Sequence, residues 1–454
     1  MIGLSGALGT GLFLGSGSMI GVAGPAIVVS YVITGLAALG IVWALAEMTV
    51  VHPVAGGFGT ISQAYVGPIG GWVARWNVAV TMCIAVGAEV VAATTFLRYW
   101  FPGLSMGWGT AGLAALIVVL NLFAVRLYGA SEYWFSLVKV TAVIGFLVLG
   151  AMLVAIGLPG HPRTGFGNLT SHGGFAPFGL TGVLTGCVLA LFSFGGAESV
   201  SVASAESEHP ERDVPRAARA MIVRLVLFYV LAILVVVTIA PWTVSAASHG
   251  TVDESPFVSV LDAVHVPYAA DIMNAVLITA ALSSANGSLF AASRMIHALA
   301  LDDMAPRGFA RTADNGAPRR AVLVSTLGML VAIVLAITSP DSAFMTLFGV
   351  NVFGLMITWS VILVTYLAFR RRRAALGLPP SPVHLSGGPA TAVLLLALIA
   401  AVVVSLAWIA PLTIGLRAGI PYLVLLLVAF AVNRAVTRGR TPRPTVLDEE
   451  LARR

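Results

Sequence analysis

Apolar stretches of about twenty residues recur from one end of this chain to the other. The sequence has 454 residues, of which 58% are apolar and only 10% are charged, whereas soluble globular chains carry roughly 25% charged residues. A transmembrane helix needs about 20 consecutive, mostly apolar residues. The pattern therefore predicts an all-α polytopic membrane protein without a sizeable soluble domain.

About twelve stretches are long and apolar enough to be transmembrane helices. By residue number they lie near 3–19, 24–50, 70–97, 108–125, 132–157, 179–205, 219–240, 268–299, 321–338, 342–368, 389–409 and 419–436. Several of them exceed the minimum length, which predicts tilted helices or helices that extend past the bilayer.

The basic residues between these stretches predict the orientation of the chain. If the first span leaves the cytoplasm, the following arginines fall on the cytoplasmic side: Arg75, Arg126, Arg212, Arg216, Arg219, Arg224, Arg307, Arg311, Arg319, Arg320, the run Arg370–Arg373 and the arginines of the C-terminal tail. Arg98, Arg163 and Arg417 fall on the other side. Cytoplasmic loops are enriched in Lys and Arg, so both termini are expected to be cytoplasmic. The net charge of +6 therefore reports orientation and not nucleic-acid binding.

Two glycine-rich segments interrupt the apolar pattern, GALGTGLF at residues 6–13 and FSFGGAES at residues 192–199. Unwound backbone at membrane depth is tolerated only where it faces protein or a watery cavity. A matched pair of such breaks in two halves of a membrane protein predicts the substrate site of a transporter. The alternative is that these glycines only let neighbouring helices pack closely. Because Met1 precedes the first break by so few residues, we expect the natural chain to begin further upstream.

A broken helix presents two opposed dipole ends in the middle of the membrane. The second half of the first span begins near Thr10, and its free N–H groups suit a carboxylate. The first half ends near Ala7 and Leu8, where unpaired carbonyl groups suit an ammonium group. Free carbonyls are also expected around Phe192 to Gly195 in the sixth span. An α-amino acid carries both complementary charges close together, so its head group matches this arrangement.

Three segments resemble the amino acid permeases of the amino acid–polyamine–organocation (APC) superfamily, and within it the amino acid transporter family. Residues 2–17, IGLSGALGTGLFLGSG, are similar to their first helix. Residues 192–217 and 281–321 are similar to their sixth helix and following loop, and to their eighth helix and following loop. The resemblance implies the LeuT-type fold, in which two inverted repeats of five helices precede two peripheral helices and helices 1 and 6 are discontinuous.

On this resemblance the chain divides into four parts. The first inverted repeat would cover residues 1–157 and the second residues 158–368. The peripheral helices would cover residues 369–436, and residues 437–454 would form a cytoplasmic tail.

The resemblance also implies a set of substrate-binding residues. It assigns Thr10 and Gly11 to the substrate carboxylate, and backbone carbonyls of Ala7, Phe192 and Gly195 to the amino group. The ring of Phe192 would cover the substrate as a lid, although ordinary packing explains a phenylalanine there equally well.

Three of the ionisable residues within the predicted spans are candidates for function: Lys139, Glu89 and Glu198. Among 25 Lys and Arg residues, Lys139 is the only lysine, and a buried lysine can lose its proton whereas arginine stays charged. Its ammonium could alternatively snorkel to the membrane interface. The resemblance favours proton coupling, because some proton-coupled relatives have a lysine at this place on helix 5. It would lie near Gly6 and Ala7 and near Ser283 or Ser284, where sodium-coupled relatives bind a cation.

Glu89 and Glu198 are the carboxyl groups of this set. Intramembrane carboxylates are costly and normally face a cavity or a partner. Glu198 is expected to cap the second break or to gate the pathway. Glu89 is expected to take part in proton coupling or, in its neutral form, to stabilise a helix contact. Asn286 and Asn351 are expected to form interhelical hydrogen bonds.

These features predict a secondary transporter of amino acids in the bacterial cytoplasmic membrane, most simply a proton symporter. The alternatives are an exchanger of two amino acids or amines, and a non-transporting amino acid sensor on the same scaffold. The sequence contains no phosphate-binding P-loop and no histidines at metal-ligand spacing. We therefore expect no enzymatic activity, cofactor, metal or nucleic-acid partner; the expected partners are an amino acid, a proton and membrane lipid.

Overall fold

The computed structural model describes residues 9–54, 56–123, 128–160, 162–196, 209–246, 255–313, 316–408, 413–437 and 444–452. Helices make up almost all of the regular structure in these ranges, and no strand occurs in them. In chain order the α-helices are α1 (Thr10–Phe13), α2 (Gly15–Ala23), α3 (Ile27–Val51), α4 (Gly57–Tyr65), α5 (Pro68–Trp100), α6 (Met106–Phe123), α7 (Tyr128–Ala155), α8 (Asn168–Ser171), α9 (Gly179–Ser193), α10 (Pro210–Ile239), α11 (Trp242–Ser245), α12 (Pro256–Ala263), α13 (Ala269–Leu301), α14 (Arg319–Ser325), α15 (Leu327–Thr338), α16 (Ala343–Ala375), α17 (Gly388–Ser405), α18 (Thr413–Val436) and α19 (Val446–Ala452).

Most of the long helices are apolar enough to cross a bilayer. Eight helical segments within the described ranges meet both criteria, and the longest of them, Gly15–Val51, covers two of the stretches predicted from the sequence. Three shorter apolar helices, Met106–Leu122, Gly179–Leu191 and Val226–Ile239, fall in three further predicted stretches. The prediction of an all-α polytopic membrane protein is confirmed, while the number of twelve spans stays a prediction.

Helix ends differ from the sequence prediction where glycine or a polar side chain interrupts the backbone. The first span was expected at 3–19, but helix runs from Thr10 to Ala23 and ends at Gly24, whose φ of 61° is unfavourable for other residues. The ninth span is divided at Thr326, whose hydroxyl donates a hydrogen bond to the carbonyl of Leu323 at 2.7 Å.

The antiparallel pair α5 and α13 forms the centre of the molecule. At one end Arg75 of α5 forms an ion pair with Asp302, 2.5 Å away, just after α13. At the other end the indole of Trp100 donates to Asp271 of α13 at 2.8 Å. Since a helix rises about 1.5 Å per residue, Glu89 lies roughly 20 Å from Arg75 and roughly 16 Å from Trp100. Its place on α5 is therefore close to the middle of the bilayer.

Small residues let α5 touch the helix beside it. A Cβ on Gly87 would lie 2.7 Å from the carbonyl oxygen of Gly328, and a Cβ on Gly328 would overlap the carbonyl group of Cys83. No side chain larger than hydrogen fits between the two backbones. Close backbone contact at small residues is the usual way in which membrane helices associate.

Arginines of α5 and α16 form hydrogen bonds that fix the short helix α4. Arg75 donates a hydrogen bond to the hydroxyl of Thr60 at 2.8 Å, and Arg372 donates to the carbonyl of Ala64 at 3.1 Å. We call this end of the molecule the arginine face, defined by Arg75 and the run Arg370–Arg373. The opposite end, where α12 precedes α13, is called the α12 face.

A fully buried carboxylate anchors the arginine face. Glu47 of α3 has no exposed surface. Its oxygens accept hydrogen bonds from the phenol of Tyr366, from Arg370 and from the backbone N–H of Leu385, all within 2.9 Å. Such charge-assisted hydrogen bonds fix α3 to α16 and to the segment before α17. The sequence prediction did not include Glu47.

Part of the predicted C-terminal tail is a helix that docks on the arginine face. Leu447 of α19 is buried in the main apolar core. Glu450 lies 2.6 Å from Arg373 and 3.8 Å from the imidazole of His52, which also forms a 2.7 Å hydrogen bond with the hydroxyl of Tyr65. Burial disfavours the imidazolium ion and lowers the pKa of His52 to about 4, although the charge of Glu450 opposes this shift.

Candidate functional site

At the first predicted break, the described residues form the start of a buried helix. Helical structure begins at Thr10, after Gly9 in an extended conformation (φ −106°, ψ −172°), and no side chain within the helix caps it. Leu14 separates α1 from α2 but keeps helical torsion angles, and its N–H donates to the carbonyl of Thr10 at 2.8 Å. Residues 10–23 are thus one helix with a slight irregularity, and the first N–H groups at Thr10 and Gly11 are buried.

The second break begins where α9 ends. Helical structure stops at Ser193, and residues 194–196 form a turn in which Gly196 has a φ of 92°. Gly195 is half-buried in this turn. Phe192 belongs to the last turn of α9, but its side chain lies outside the described part of the structure. Ala7 and Glu198 lie outside the described residues altogether.

Glu89 of α5 faces the first break. Its Oε1 accepts a hydrogen bond from the hydroxyl of Ser284 at 2.9 Å and a longer one, 3.5 Å, from the backbone N–H of Thr10. A Cβ on Gly9 would lie only 2.9 Å from the same oxygen, so a glycine at this position lets the carboxyl group approach the backbone. The side chain is only 7% exposed, and its second oxygen, Oε2, has no hydrogen-bond partner among the described residues.

Lys139 of α7 is fully buried beside Glu89. Its Nζ donates a hydrogen bond to the hydroxyl of Ser283 at 3.1 Å, and its charge attracts that of Glu89. With no exposed surface, the ammonium does not snorkel to the membrane interface. The neighbouring serines Ser283 and Ser284 of α13 therefore each hold one ionisable group, a base and an acid.

Three aromatic rings pack against the second break. The hydroxyl groups of Tyr31 and Ser193 lie 3.1 Å apart. Phe194 lies between Tyr31 and Tyr229, with ring centroids 6.1 Å and 5.2 Å away. The sequence analysis singled out Phe192 and missed Phe194 and its two tyrosine neighbours. Tyrosines in the predicted second and seventh spans were the available signal, because a buried tyrosine hydroxyl needs a polar partner.

The segment that begins α12 contacts the first turn of the helix at residues 10–23. The hydroxyl of Ser255, which caps α12, donates a hydrogen bond to the carbonyl of Phe13 at 2.6 Å. The ring of Phe257 packs against Phe13 and Phe146, with centroids 5.3 Å and 5.0 Å away. This aromatic contact lies between the first break and the surface of the α12 face. The sequence analysis did not anticipate it.

Two asparagines in the spans have different roles. The amide of Asn121 in α6 donates to Asn286 of α13 at 2.6 Å, which is the interhelical bond expected for Asn286. The same expectation is wrong for Asn351, whose amide donates to the carbonyl of Leu347 in its own helix. Within the described ranges, no group of three His, Cys, Asp or Glu side chains comes together as metal ligands would.

A comparison with protein families decides the class of this chain. The family model described as amino acid permease matches residues 1–440. The chain belongs to the amino acid permease family. This permease is 38% identical to the γ-aminobutyric acid permease of Bacillus subtilis over 375 residues, which are 82% of this chain and 78% of the relative. It is 36% identical to the aromatic amino acid transport protein AroP of Escherichia coli K12 over 377 residues, 83% of this chain and 81% of the relative.

Membership in the family agrees with the resemblance inferred from the three sequence segments. The permease is accordingly a multi-pass membrane protein of an amino acid transport family in the APC superfamily.

Proposed function

We propose that this permease imports an amino acid together with a proton. The observation that carries the proposal is the pair of ionisable groups at the centre of the molecule. Lys139 on α7 and Glu89 on α5 are buried on two helices that both pack on α13, and Glu89 contacts the start of the helix at residues 10–23. Ionisable residues at membrane depth are costly and therefore mark ion and proton pathways. A base and an acid that attract each other supply a site where one proton can be gained or lost.

The proposed substrate site lies between the two breaks. The N–H groups of Thr10 and Gly11 bind the substrate carboxylate, since the start of a helix attracts anions. The backbone carbonyls of Ala7, Phe192 and Gly195 bind the amino group. Glu198 and the ring of Phe192 border the site on the side of the second break.

Transport is proposed to occur by alternating access between two inverted repeats, residues 1–157 and 158–368, with the arginine face in the cytoplasm. The excess of arginine in the loops of that face supports this orientation. Substrate and proton enter from the α12 face and leave at the arginine face. The substrate and the proton can drive the change between the outward-open and inward-open states only if they bind these two states with unequal affinity.

The relatives suggest which amino acids to test first. Their names refer to γ-aminobutyric acid and to aromatic amino acids. These substrates carry no charged side chain, and the described part of the site has no acid or base beyond Lys139 and Glu89. We propose a neutral amino acid as the substrate, with an aromatic one as the first candidate because Tyr31, Phe194 and Tyr229 supply rings next to the second break.

The test is uptake into proteoliposomes that contain the purified permease. The panel consists of the twenty proteinogenic L-amino acids and γ-aminobutyrate, each radiolabelled, with and without an inward proton gradient. At least one compound should accumulate, and a protonophore should abolish its accumulation. If the proton gradient changes the uptake of none of these compounds, proton coupling is refuted. Uptake that requires an amino acid inside the vesicles, and ignores pH, would identify an exchanger instead.

A further inference from the structure

The two oxygens of the Glu89 carboxyl group have different surroundings. Oε1 accepts hydrogen bonds from Ser284 and from the backbone of Thr10, whereas Oε2 is buried without a partner among the described residues. Nearly all buried polar atoms in proteins are hydrogen-bonded, and an exception requires an explanation. A proton on this carboxyl group, or a ligand that brings a hydrogen-bonding group, would satisfy the second oxygen.

The contact with Thr10 places Glu89 in competition with the substrate. The backbone N–H of Thr10 that donates to Glu89 is the same group that the proposed function assigns to the carboxylate of an amino acid. Two carboxylates at hydrogen-bond distance from one donor repel each other strongly in a buried site. Where two carboxyl groups share a site, one of them is normally protonated.

We propose that Glu89 occupies the place of the substrate carboxylate in the empty permease and must take up a proton before an amino acid binds. This inference rests on the proposed function, because it requires an amino acid at the first break. The proton comes from the solution and forms an O–H bond on Glu89. The neutral carboxyl group then donates a charge-assisted hydrogen bond to the incoming carboxylate. One proton therefore accompanies each amino acid.

The chain at the first break is shaped to admit this carboxyl group. Gly9 has no Cβ, and any other residue would bring one within 2.9 Å of Oε1. Ser284 supplies a hydroxyl that donates to the ionised carboxylate and can turn to accept from a protonated one. The site is thus able to hold both protonation states of Glu89 without a change in its residues.

Few ionisable side chains face Glu89 among the described residues. Lys139 of α7 and Tyr229 of α10, on two helices that pack on each other, interact with it electrostatically. Helices α6 and α15, which pack on α5, contain no ionisable residue. The tyrosines of the other packed helices have other partners: Tyr65 of α4 bonds His52, Tyr366 of α16 bonds Glu47, and Tyr422 of α18 bonds Asn77.

The first experiment measures binding and proton uptake together. Purified permease in a weakly buffered solution is titrated with each panel compound that the wild type transports, between about pH 5 and about pH 9. For the wild type, above the pH at which Glu89 ionises, affinity should fall about tenfold per pH unit, and one proton should be taken up per molecule bound.

Glu89→Gln is the decisive variant. Its amide is neutral like the protonated carboxyl group and can donate to a carboxylate, so it should bind the amino acid. Its affinity should not vary with pH, and binding should take up no proton. In vesicles it should equilibrate the amino acid without accumulating it. Glu211→Gln is the matched control, since Glu211 is exposed at the start of α10 and should leave affinity and proton uptake as in the wild type.

Two results would overturn the inference. One is a Glu89→Gln variant that still takes up a proton with each amino acid, which would assign the proton to another group. The other is a variant that remains folded in a thermal unfolding assay but binds none of these compounds at any pH. That result would mean that the ionised carboxylate itself is a ligand of the substrate.

A measurement on the wild type alone keeps the inference testable if the variant does not fold. Infrared difference spectra record the carbonyl stretching band of protonated carboxyl groups. At a pH where the wild type takes up a proton, addition of the transported amino acid should create such a band, which the inference assigns to Glu89. If no such band appears under conditions in which binding takes up a proton, the inference about Glu89 is refuted. A wild type that binds and transports no compound of the panel would refute the proposed function instead.

Discussion

At the scale of single residues, the backbone of Thr10 permits a test that leaves the helix intact. Thr10 is the first helical residue, where proline is well tolerated because that N–H has no partner within the helix. Gly9 before it is already extended, as the residue before a proline prefers to be. Thr10→Pro therefore removes this N–H donor together with the hydroxyl, which also hydrogen-bonds Glu89. The loss of a hydrogen bond to a charged group costs about 1.5–3 kcal/mol.

We expect Thr10→Pro to weaken amino acid binding by roughly ten- to a hundredfold or more. Equilibrium binding of the transported amino acid to purified protein checks this. Thr10→Ala loses the same hydroxyl but keeps the N–H, and it should bind within a few-fold of the wild type. If Thr10→Pro binds as tightly as Thr10→Ala, the substrate carboxylate does not use this donor.

Lys139 leads to a second prediction about charge. Arginine keeps its proton in proteins and has a larger head group than the fully buried ammonium beside Ser283. In Lys139→Arg the permanent charge should hold Glu89 in its ionised form. Because an ionised Glu89 occupies the place of the substrate carboxylate, amino acid binding should weaken, and uptake should fall toward that of vesicles without the permease. Arg307→Lys, an exchange of the same two residue types at an exposed position, should transport normally. Wild-type accumulation by Lys139→Arg would exclude the lysine from coupling.

The sequence predicted the composition of the site better than its contacts. A single lysine and an intramembrane glutamate were visible as exceptions in an apolar chain, and the family resemblance pointed to Ser283 or Ser284 as neighbours of the lysine. Which serine binds which group depends on the rotation of α13 against α5 and α7, and no local pattern encodes that rotation. The hydrogen bond from Thr10 to Glu89 joins residues 79 positions apart and was not foreseen for the same reason.

At the scale of helices, the docking of α19 on the arginine face should depend on pH through His52. The folded protein holds the pKa of His52 at about 4, below the value of 6.5 for an unperturbed histidine. Between these values the unfolded chain binds more protons than the folded one, so stability falls as the pH falls from about 6.5 to about 4. The loss attributable to His52 is at most about 3 kcal/mol, since one pKa unit corresponds to about 1.4 kcal/mol.

Thermal unfolding in detergent at pH 7.5 and at about pH 4.5 measures this loss. The wild type should lose more stability on acidification than His52→Gln does. His384→Gln, a change at an exposed histidine, should behave like the wild type. Equal acid sensitivity in all three proteins would show that protonation of His52 does not loosen the contact with Tyr65 and Glu450.

The limits of helices were predictable where glycine or proline determines them and not elsewhere. The helix start after Gly9 and the turn at Gly196 follow from glycine patterns that the sequence displays openly. The docking of α19 does not, because the segment is short and charged and resembles a solvated tail. Its burial depends on Leu447 meeting the core and on Glu450 meeting Arg373, which are contacts with distant parts of the chain.

At the scale of the whole molecule, two sets of contacts close opposite ends of the α5–α13 pair. On the arginine face, the ion pair between Arg75 and Asp302 holds α4 through Thr60. On the α12 face, the hydrogen bond from Ser255 to Phe13 holds α12 over the first helix. Alternating access requires that these closures exclude each other in part, so that opening one end favours closure of the other. Two sites linked through one equilibrium must influence each other reciprocally.

Hydrogen–deuterium exchange of α4 and α12 tests this reciprocity. Asp302→Asn weakens the closure of the arginine face, so exchange should become faster in α4 and slower in α12. Ser255→Ala should produce the mirror image, with faster exchange in α12 and slower exchange in α4. The opposite signs distinguish a two-state molecule from simple local loosening, which would accelerate exchange near each substitution and leave the far end unchanged. Asp341→Asn, a change in the exposed segment between α15 and α16, should alter neither helix. If each variant accelerates exchange only in the helix next to its substitution, the two closures are not coupled. The amino acid site would then lack the conformational change that transport requires.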